Sequence, residues 1–166
     1  ALLQKTLQDY GFDVKPNIAG MPTAFVASYG SGSPVIAILA EFDALPGLSQ
    51  EAVPEKKPIN GKVAGHACGH HLFGAASVAA GIQIKNLLEQ KKINGTVRVY
   101  GCPAEEGGSG KVYLTRDGLF KDVDVVIHWH PGDGNNADPS TCLAATSLTF
   151  KFYGKTAHSA VAPHRG

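Results

Sequence analysis

Residues 35–43, VIAILAEFD, form the most informative run of the chain for its fold. The first six residues are all apolar, which is typical of a strand covered on both faces by other parts of a protein. The next three residues bring two carboxylates, Glu41 and Asp43, to the carboxyl end of this strand. The pattern therefore predicts a buried strand in a parallel sheet, with charged groups at the edge where such sheets bind ligands.

Further strands and helices are predicted on both sides of this run. Strands are predicted over residues 23–29, 96–100 and 122–127, and helices over residues 1–10, 72–92 and near 111–119. Because strands and helices alternate, we expect an α/β fold with a largely parallel sheet and helices on both faces. A short Gly- and Ser-rich turn separates the first two strands, which would allow them to pair as a hairpin.

The helix predicted over residues 72–92 is rich in small side chains, which would let it approach a sheet closely. We therefore expect this helix to be buried. The small residues are Gly74, Ala75, Ala76, Ala79, Ala80 and Gly81.

A segment rich in Gly, Asn, Asp and Pro, residues 133–140, predicts a domain boundary. We expect a catalytic domain over residues 1–140 and the beginning of a second domain over residues 141–166, with a strand at 148–153. The first helix begins without a capping residue, and the second domain ends soon after its first strand. Both ends therefore look cut, and we expect the chain to be a fragment of a longer protein.

The composition excludes several classes of protein. The 166 residues are 43% hydrophobic and 17% charged, which is typical of a soluble globular protein. The net charge of +1, without a basic cluster, argues against binding to nucleic acid. The longest apolar stretch, residues 73–84, is too short to span a membrane. Three cysteines form no paired framework, which favours a reducing compartment, and we expect the cytoplasm.

The stretch GHACGHH, residues 65–71, contains three histidines and one cysteine, which are all possible metal ligands. Cys68 and His70 are two positions apart, so in an extended or turn backbone both side chains point the same way. A thiolate and an imidazole are ligands that suit zinc or a similar transition metal. The alternative is a buried cysteine in a turn that leads into a helix, and spacing alone does not decide between them. The other residues that a hydrolytic metal site needs follow downstream strands, which favours the metal.

Two glutamates, Glu105 and Glu106, follow the strand predicted over residues 96–100. In metal-assisted hydrolysis one carboxylate binds the ion, and a second, close but unbound, takes the proton from the attacking water. The pair can fill both roles if a turn at Gly107 and Gly108 directs both side chains into one cavity. The alternative for an isolated pair is an acidic turn exposed to water.

Two histidines, His128 and His130, follow the next predicted strand and share one face, while Trp129 between them points away into packing. We expect one histidine to bind a metal ion and the other to form a hydrogen bond. Asp43 and Glu41 are candidates for orienting a ligand histidine by a hydrogen bond. The alternative for these two carboxylates is a strand end exposed to water.

Four motifs resemble, in order, those of the aminoacylase/carboxypeptidase-like zinc peptidases, in the branch with hippurate hydrolase and plant auxin-conjugate hydrolases. They are HACGH at residues 66–70, PAEEG at 103–107, the strand-end His130, and GKTAH at 154–158. The resemblance covers the whole chain. Two further stretches, EFDALPGLSQ at 41–50 and HWHPGD at 128–133, are similar to members that act on p-aminobenzoyl-glutamate.

The resemblance implies a role for each matching residue. Two divalent ions, zinc or manganese, would be bound, and Glu105 would be the general base on the water between them. The implied metal ligands are Cys68, His70, Glu106 and His130. His158 would lie in an α+β lid and dimerisation domain, where the matching residue helps to polarise the substrate carbonyl, commonly in the partner subunit.

The resemblance also implies the reaction, which is hydrolysis of the amide bond of an N-acyl or N-aroyl amino acid by a homodimer. The chain departs from the pattern at His71, where many relatives have Asp, and it lacks a metal-binding histidine that relatives take from a C-terminal segment. We therefore expect the 166-residue chain to be inactive by itself. The alternatives are a homologue that binds a metal or ligand without turnover, and a structural Cys/His metal module. A structural module would close with four Cys/His ligands.

Overall fold

The structure, a computed structural model, describes residues 1–137, 139, 141 and 143–166. These form two compact units, residues 1–133 and residues 134–166. All the strands and α-helices of the described residues lie in the first unit. The strands are β1 (Asp13–Pro16), β2 (Phe25–Ser31), β3 (Val35–Glu41), β4 (Leu45–Pro46), β5 (Ala64–Gly65), β6 (Gly95–Cys102) and β7 (Val125–Ile127). The helices are α1 (Leu2–Asp9), α2 (His70–Glu89), α3 (Glu105–Gly108) and α4 (Gly110–Arg116).

The main sheet has five strands in the order β1-β2-β6-β3-β7. β3 pairs in parallel with β6 and β7, while β1 and β2 are joined to the sheet by antiparallel pairing. The α/β class predicted from the sequence is confirmed. The predicted hairpin of β2 and β3 is wrong, because β6 lies between them, with Tyr100 opposite both Val26 and Leu39. β6 is buried along most of its length, and a central place in the sheet provides that burial.

Apolar layers cover both faces of the sheet, as expected. On one face, side chains from β3 and β6 pack against α1 and α2 through residues such as Leu7, Ile38, Val78 and Val99. On the other face, Leu39, Tyr100 and Cys102 pack against Leu114 of α4. The alternation along β6 sends successive side chains to opposite layers, so the sheet forms the middle of the first unit.

Helix α2 contacts the sheet through one face only. Its buried residues include Phe73, Ser77, Val78 and two glycines, Gly74 and Gly81. A Cβ atom at Gly81 would lie 2.5 Å from Cγ2 of Val99, so the helix approaches the sheet as closely as the sequence predicts. The prediction that the whole helix is buried is wrong, because the alanines at positions 75, 76, 79 and 80 are exposed. Only residues spaced by three, four or seven positions share the face that meets the sheet.

The predicted strand over residues 148–153 is also wrong. Residues 143–157 form no helix or strand, and Phe150 and Phe152 are 74% and 92% exposed. A strand requires a neighbouring backbone for its hydrogen bonds, and no described residue of the unit 134–166 provides a strand. Of the three cysteines, Cys142 lies outside the described residues, whereas Cys68 and Cys102 are free. In the described part of the chain, no helix is long and apolar enough to cross a bilayer.

Candidate metal centre

The candidate ligands come from four separate parts of the first unit that meet at the carboxyl edge of the parallel strands. Glu41 is the last residue of β3, and Asp43 follows it. Glu105 and Glu106 begin α3, shortly after β6, while His128 and His130 follow β7. Cys68 precedes α2, and His70 is its first residue. This is the edge at which α/β sheets bind their ligands.

The turn that carries Cys68 is fixed by two glycines. Gly65 belongs to β5, which pairs with β4, and a side chain there would clash with the carbonyl oxygen of Leu48. Gly69 has a φ of +79°, and a Cβ atom there would lie 3.0 Å from the ring of Pro131. Because Gly69 has no side chain, the turn can lie against the segment that follows β7. Sγ of Cys68 is consequently 3.3 Å from Nε2 of His130.

His70 is fully buried and is held from one side by Asp43. Its Nδ1 lies 3.0 Å from Oδ1 of Asp43, whose Oδ2 accepts a hydrogen bond of 3.0 Å from the backbone N–H of Glu106. A carboxylate accepts hydrogen bonds, so Nδ1 of His70 is assigned as the donor and Nε2 carries the lone pair. In the same way, Nδ1 of His130 donates to the carbonyl oxygen of Pro131 at 2.9 Å, which leaves Nε2 available as a ligand.

The two glutamates differ in their access to solvent. Glu105 has a side chain that is 43% exposed, and its Oε2 lies 4.0 Å from Nε2 of His70. Glu106 is 22% exposed, and its Oε1 lies 3.9 Å from Nδ1 of His70. Desolvation by partial burial raises the pKa of the Cys68 thiol, and the neighbouring Glu106 carboxylate raises it further. Without a cation, Cys68 therefore keeps its proton at neutral pH.

The residues present fit a divalent transition-metal ion. Ligand atoms of Cys68, His70 and His130 all lie within 4.8 Å of one another, and so do those of Glu41, His70 and Glu105. Three buried atoms have no hydrogen-bond partner among the described residues, namely Oε2 of Glu41, Nε2 of His70 and Oε1 of Glu106. Buried polar atoms normally have a partner. A cation among these thiol, imidazole and carboxylate groups would supply it.

Glu41 and Lys111 make contacts in the site that their positions in the sequence did not predict. Glu41 is 2% exposed and receives both the Lys111 ammonium group and Nε2 of His128, the latter at 3.2 Å, on its Oε1. In the sequence, the indication that Glu41 is buried was the apolar run of β3, because Glu41 follows this run directly, without a turn residue between them. Nothing in the sequence indicated that Lys111 belongs to the site, because it reaches Glu41 from α4, 70 positions away along the chain. Trp129 packs on Phe73, as predicted, and its Nε1 donates a hydrogen bond of 3.1 Å to Oγ of Ser77.

Two further residues were predicted for the site, His71 and His158. His71 is exposed and lies beside His66, with 5.2 Å between their ring centres, and it belongs to neither group of possible ligands found among the described residues. His158 belongs to the unit 134–166, where its Nδ1 accepts hydrogen bonds from the backbone N–H groups of Ala160 and Val161 at 3.3 and 3.2 Å. The roles of both histidines stay predictions.

Comparison with known proteins identifies the family of the chain. Residues 37–163 match the sequence profile of Peptidase family M20/M25/M40. A p-aminobenzoyl-glutamate hydrolase subunit of Escherichia coli (strain K12) is 46% identical over 165 residues, which are 99% of this chain and 34% of that protein. The Xaa-Arg dipeptidase of Mus musculus is 36% identical over 162 residues, which are 92% of this chain and 33% of that protein.

The fold comparison gives the same result. The YXEP protein of Bacillus subtilis, described as a dinuclear metal binding peptidase from the M20 family, superposes with a TM-score of 0.67 at 26% identity. The match covers 79% of this chain and 36% of that one. The chain thus spans about a third of the length of these relatives. The family resemblance seen in four sequence motifs is confirmed, and the chain belongs to Peptidase family M20/M25/M40.

Proposed function

We propose that the full-length protein is a metal-dependent amidohydrolase that cleaves the amide bond of an N-acyl or N-aroyl amino acid. The observation that supports this most directly is the cluster of Cys68, His70 and His130 next to a partly exposed carboxylate, Glu105. We propose p-aminobenzoyl-glutamate as the substrate to test first, because the hydrolase from Escherichia coli named for it has a subunit that is 46% identical to this chain.

Each residue of the cluster has a proposed role. Cys68, His70, Glu106 and His130 would hold two divalent ions, zinc or manganese, and Asp43 would fix the ring of His70. When bound, such ions supply Lewis-acid chemistry at the amide carbonyl. The proposed ligands include a carboxylate, that of Glu106, whereas structural zinc sites are usually closed by four Cys and His ligands.

Glu105 is the residue proposed to move the proton. Its carboxylate is the more exposed of the pair, so it can reach a water that enters from solvent. It would accept a proton from that water as the oxygen attacks the carbonyl carbon, and then donate the proton to the leaving amine. We further propose that His158 polarises the substrate carbonyl in a homodimer, and that the protein works in the cytoplasm.

The test is a paired measurement on the full-length protein. Metal content would be determined by elemental analysis, and release of p-aminobenzoate from p-aminobenzoyl-glutamate would be followed with manganese or zinc present. The Glu105→Gln variant is the control, which is expected to bind metal without turnover. A wild-type protein that binds metal but hydrolyses no N-acyl or N-aroyl amino acid would instead support a non-catalytic homologue.

A further inference from the structure

We infer that Glu41 is itself a metal ligand, binding an ion through Oε2 next to Nε2 of His70. Glu41 is outside the ligand set of Cys68, His70, Glu106 and His130 that the sequence motifs imply. The inference rests on metal binding as part of the proposed function, and it adds a ligand to that site.

The Glu41 carboxylate is buried. The side chain is 2% exposed, and its two oxygens have different surroundings. Oε1 accepts hydrogen bonds from the Lys111 ammonium group and from Nε2 of His128. Oε2 has no hydrogen-bond partner in the described part of the chain. Since a buried charged oxygen without a partner is costly, this atom requires a cation or a proton donor.

Oε2 of Glu41 lies next to a second atom that lacks a partner in the part of the chain that the structure describes. It lies 3.1 Å from Nε2 of His70, which also has no hydrogen-bond partner among the described residues. Because Nδ1 of His70 is assigned as the donor to Asp43, Nε2 is the ring atom left to bind a metal ion, and it lies next to Oε2 of Glu41. A cation bound by both atoms would give each of them the partner that it lacks in the described chain.

The distance between Oε2 of Glu41 and Nε2 of His70 suits two ligands of one metal ion. Nitrogen and oxygen ligands lie about 2.0–2.2 Å from a zinc ion, and neighbouring ligands subtend about 90–110° in common geometries. Two such atoms are therefore about 2.8–3.6 Å apart. The separation of 3.1 Å between Oε2 of Glu41 and Nε2 of His70 falls in this range. Oε2 of Glu105 lies 4.0 Å from the same nitrogen, close to where such an ion would be bound.

Glu41 is held in place through its other carboxylate oxygen, Oε1. Carboxylates that bind a metal through one oxygen are usually hydrogen-bonded through the other, which fixes their orientation. Lys111 comes from α4 and His128 from the segment after β7, and both contact Oε1 only. Lys111 and His128 are therefore positioning residues for Glu41. His70 occurs in both groups of possible ligands. An ion at its Nε2 would therefore be near Glu41 and also near the group that contains Cys68.

The direct test is an anomalous-scattering crystal structure of the full chain loaded with zinc alone. We expect a zinc ion within about 2.0–2.3 Å of Oε2 of Glu41. Zinc bound by Cys68 and His130 with Oε2 of Glu41 more than about 3 Å away would overturn the inference, while leaving the proposed function intact. If the wild-type chain binds no zinc at all, both the inference and the proposed function fail.

A second test uses cobalt, whose visible spectrum reports its ligands. We expect Glu41→Gln to raise the cobalt dissociation constant at least about tenfold and to change the absorption spectrum. Lys111→Met is expected to weaken binding less and to keep the spectrum, because it removes only a group that orients Glu41. The matched control is Glu51→Gln, which removes a surface carboxylate paired with Lys57. Wild-type affinity and spectrum in a folded Glu41→Gln variant would overturn the inference; if that variant does not fold, the crystal structure decides.

Discussion

Nδ1 of His70 lies 3.0 Å from Oδ1 of Asp43, and this contact fixes which ring nitrogen faces the candidate metal centre. We expect Asp43→Asn to weaken metal binding by a factor of about 10–100, the usual effect of removing the partner of a ligand histidine. The affinity would be measured by competition with a coloured chelator. The control is Asp9→Asn, which removes a surface carboxylate that pairs with Lys5. Equal affinities of the Asp43→Asn variant and the wild type would show that His70 needs no partner.

The adjacent glutamates are expected to differ when each is replaced by glutamine. Glu105→Gln should keep metal and lower turnover by about a hundredfold or more, because a positioned general base contributes on that scale. Glu106→Gln should lose metal, because its buried Oε1 is among the unpartnered atoms beside His70. Elemental analysis and initial rates on p-aminobenzoyl-glutamate separate the two effects. The opposite result, with metal lost in Glu105→Gln and kept in Glu106→Gln, would mean that the roles are exchanged.

Two cysteines are expected to react at different rates with iodoacetamide. Cys102 is fully buried, and this burial raises its pKa to about 11, so little reactive thiolate forms below that pH. Cys68 is partly exposed, and we expect it to be alkylated at least about tenfold faster at mildly alkaline pH. Added zinc should protect Cys68 and leave Cys102 unchanged. Peptide mass spectrometry gives each rate, and faster labelling of Cys102 would show that its surroundings are not those described.

The close contact of α2 with the sheet predicts a stability effect at Gly81. In Gly81→Ala the new methyl group would lie 2.5 Å from Cγ2 of Val99, so α2 or the strand must shift. We expect a loss of about 1–3 kcal/mol in the free energy of unfolding, as for other overpacked cores. Urea denaturation followed by circular dichroism measures it. Gly107→Ala is the control, because no atom lies within 4 Å of a Cβ there, and equal losses in both variants would contradict the packing argument.

The sequence was informative wherever a local pattern decides the structure. Six apolar residues in a row predicted β3, and helical spacing predicted α2. The pairing of β2 with β3 was predicted wrongly, because the partner of a strand is chosen by residues far away in the sequence, here those of β6. The alanine side of α2 shows the same limit, since small residues permit close packing but do not determine which face meets the sheet.

At the candidate metal centre, the chemistry of a residue was easier to predict than its neighbours. Cys68 and His130 were selected for their ligand types, and their contact at 3.3 Å joins positions 62 residues apart. Glu41 was considered only as a carboxylate that orients a histidine or faces water. Its burial depends on Lys111 and His128, which reach it from other elements, and no spacing in the sequence reports such an arrangement.

The central place of β6 affects the order in which the protein can be completed during synthesis. A ribosome makes β2 and β3 long before residues 95–102, so for that time both strands lack the neighbour that they share. Unpaired strand edges are templates for pairing with other chains. β7, the other neighbour of β3, is also made later, so a nascent chain paused before Gly95 would present three unpaired strand edges, one of β2 and both of β3. We expect chaperone dependence to be greatest at that stage of translation.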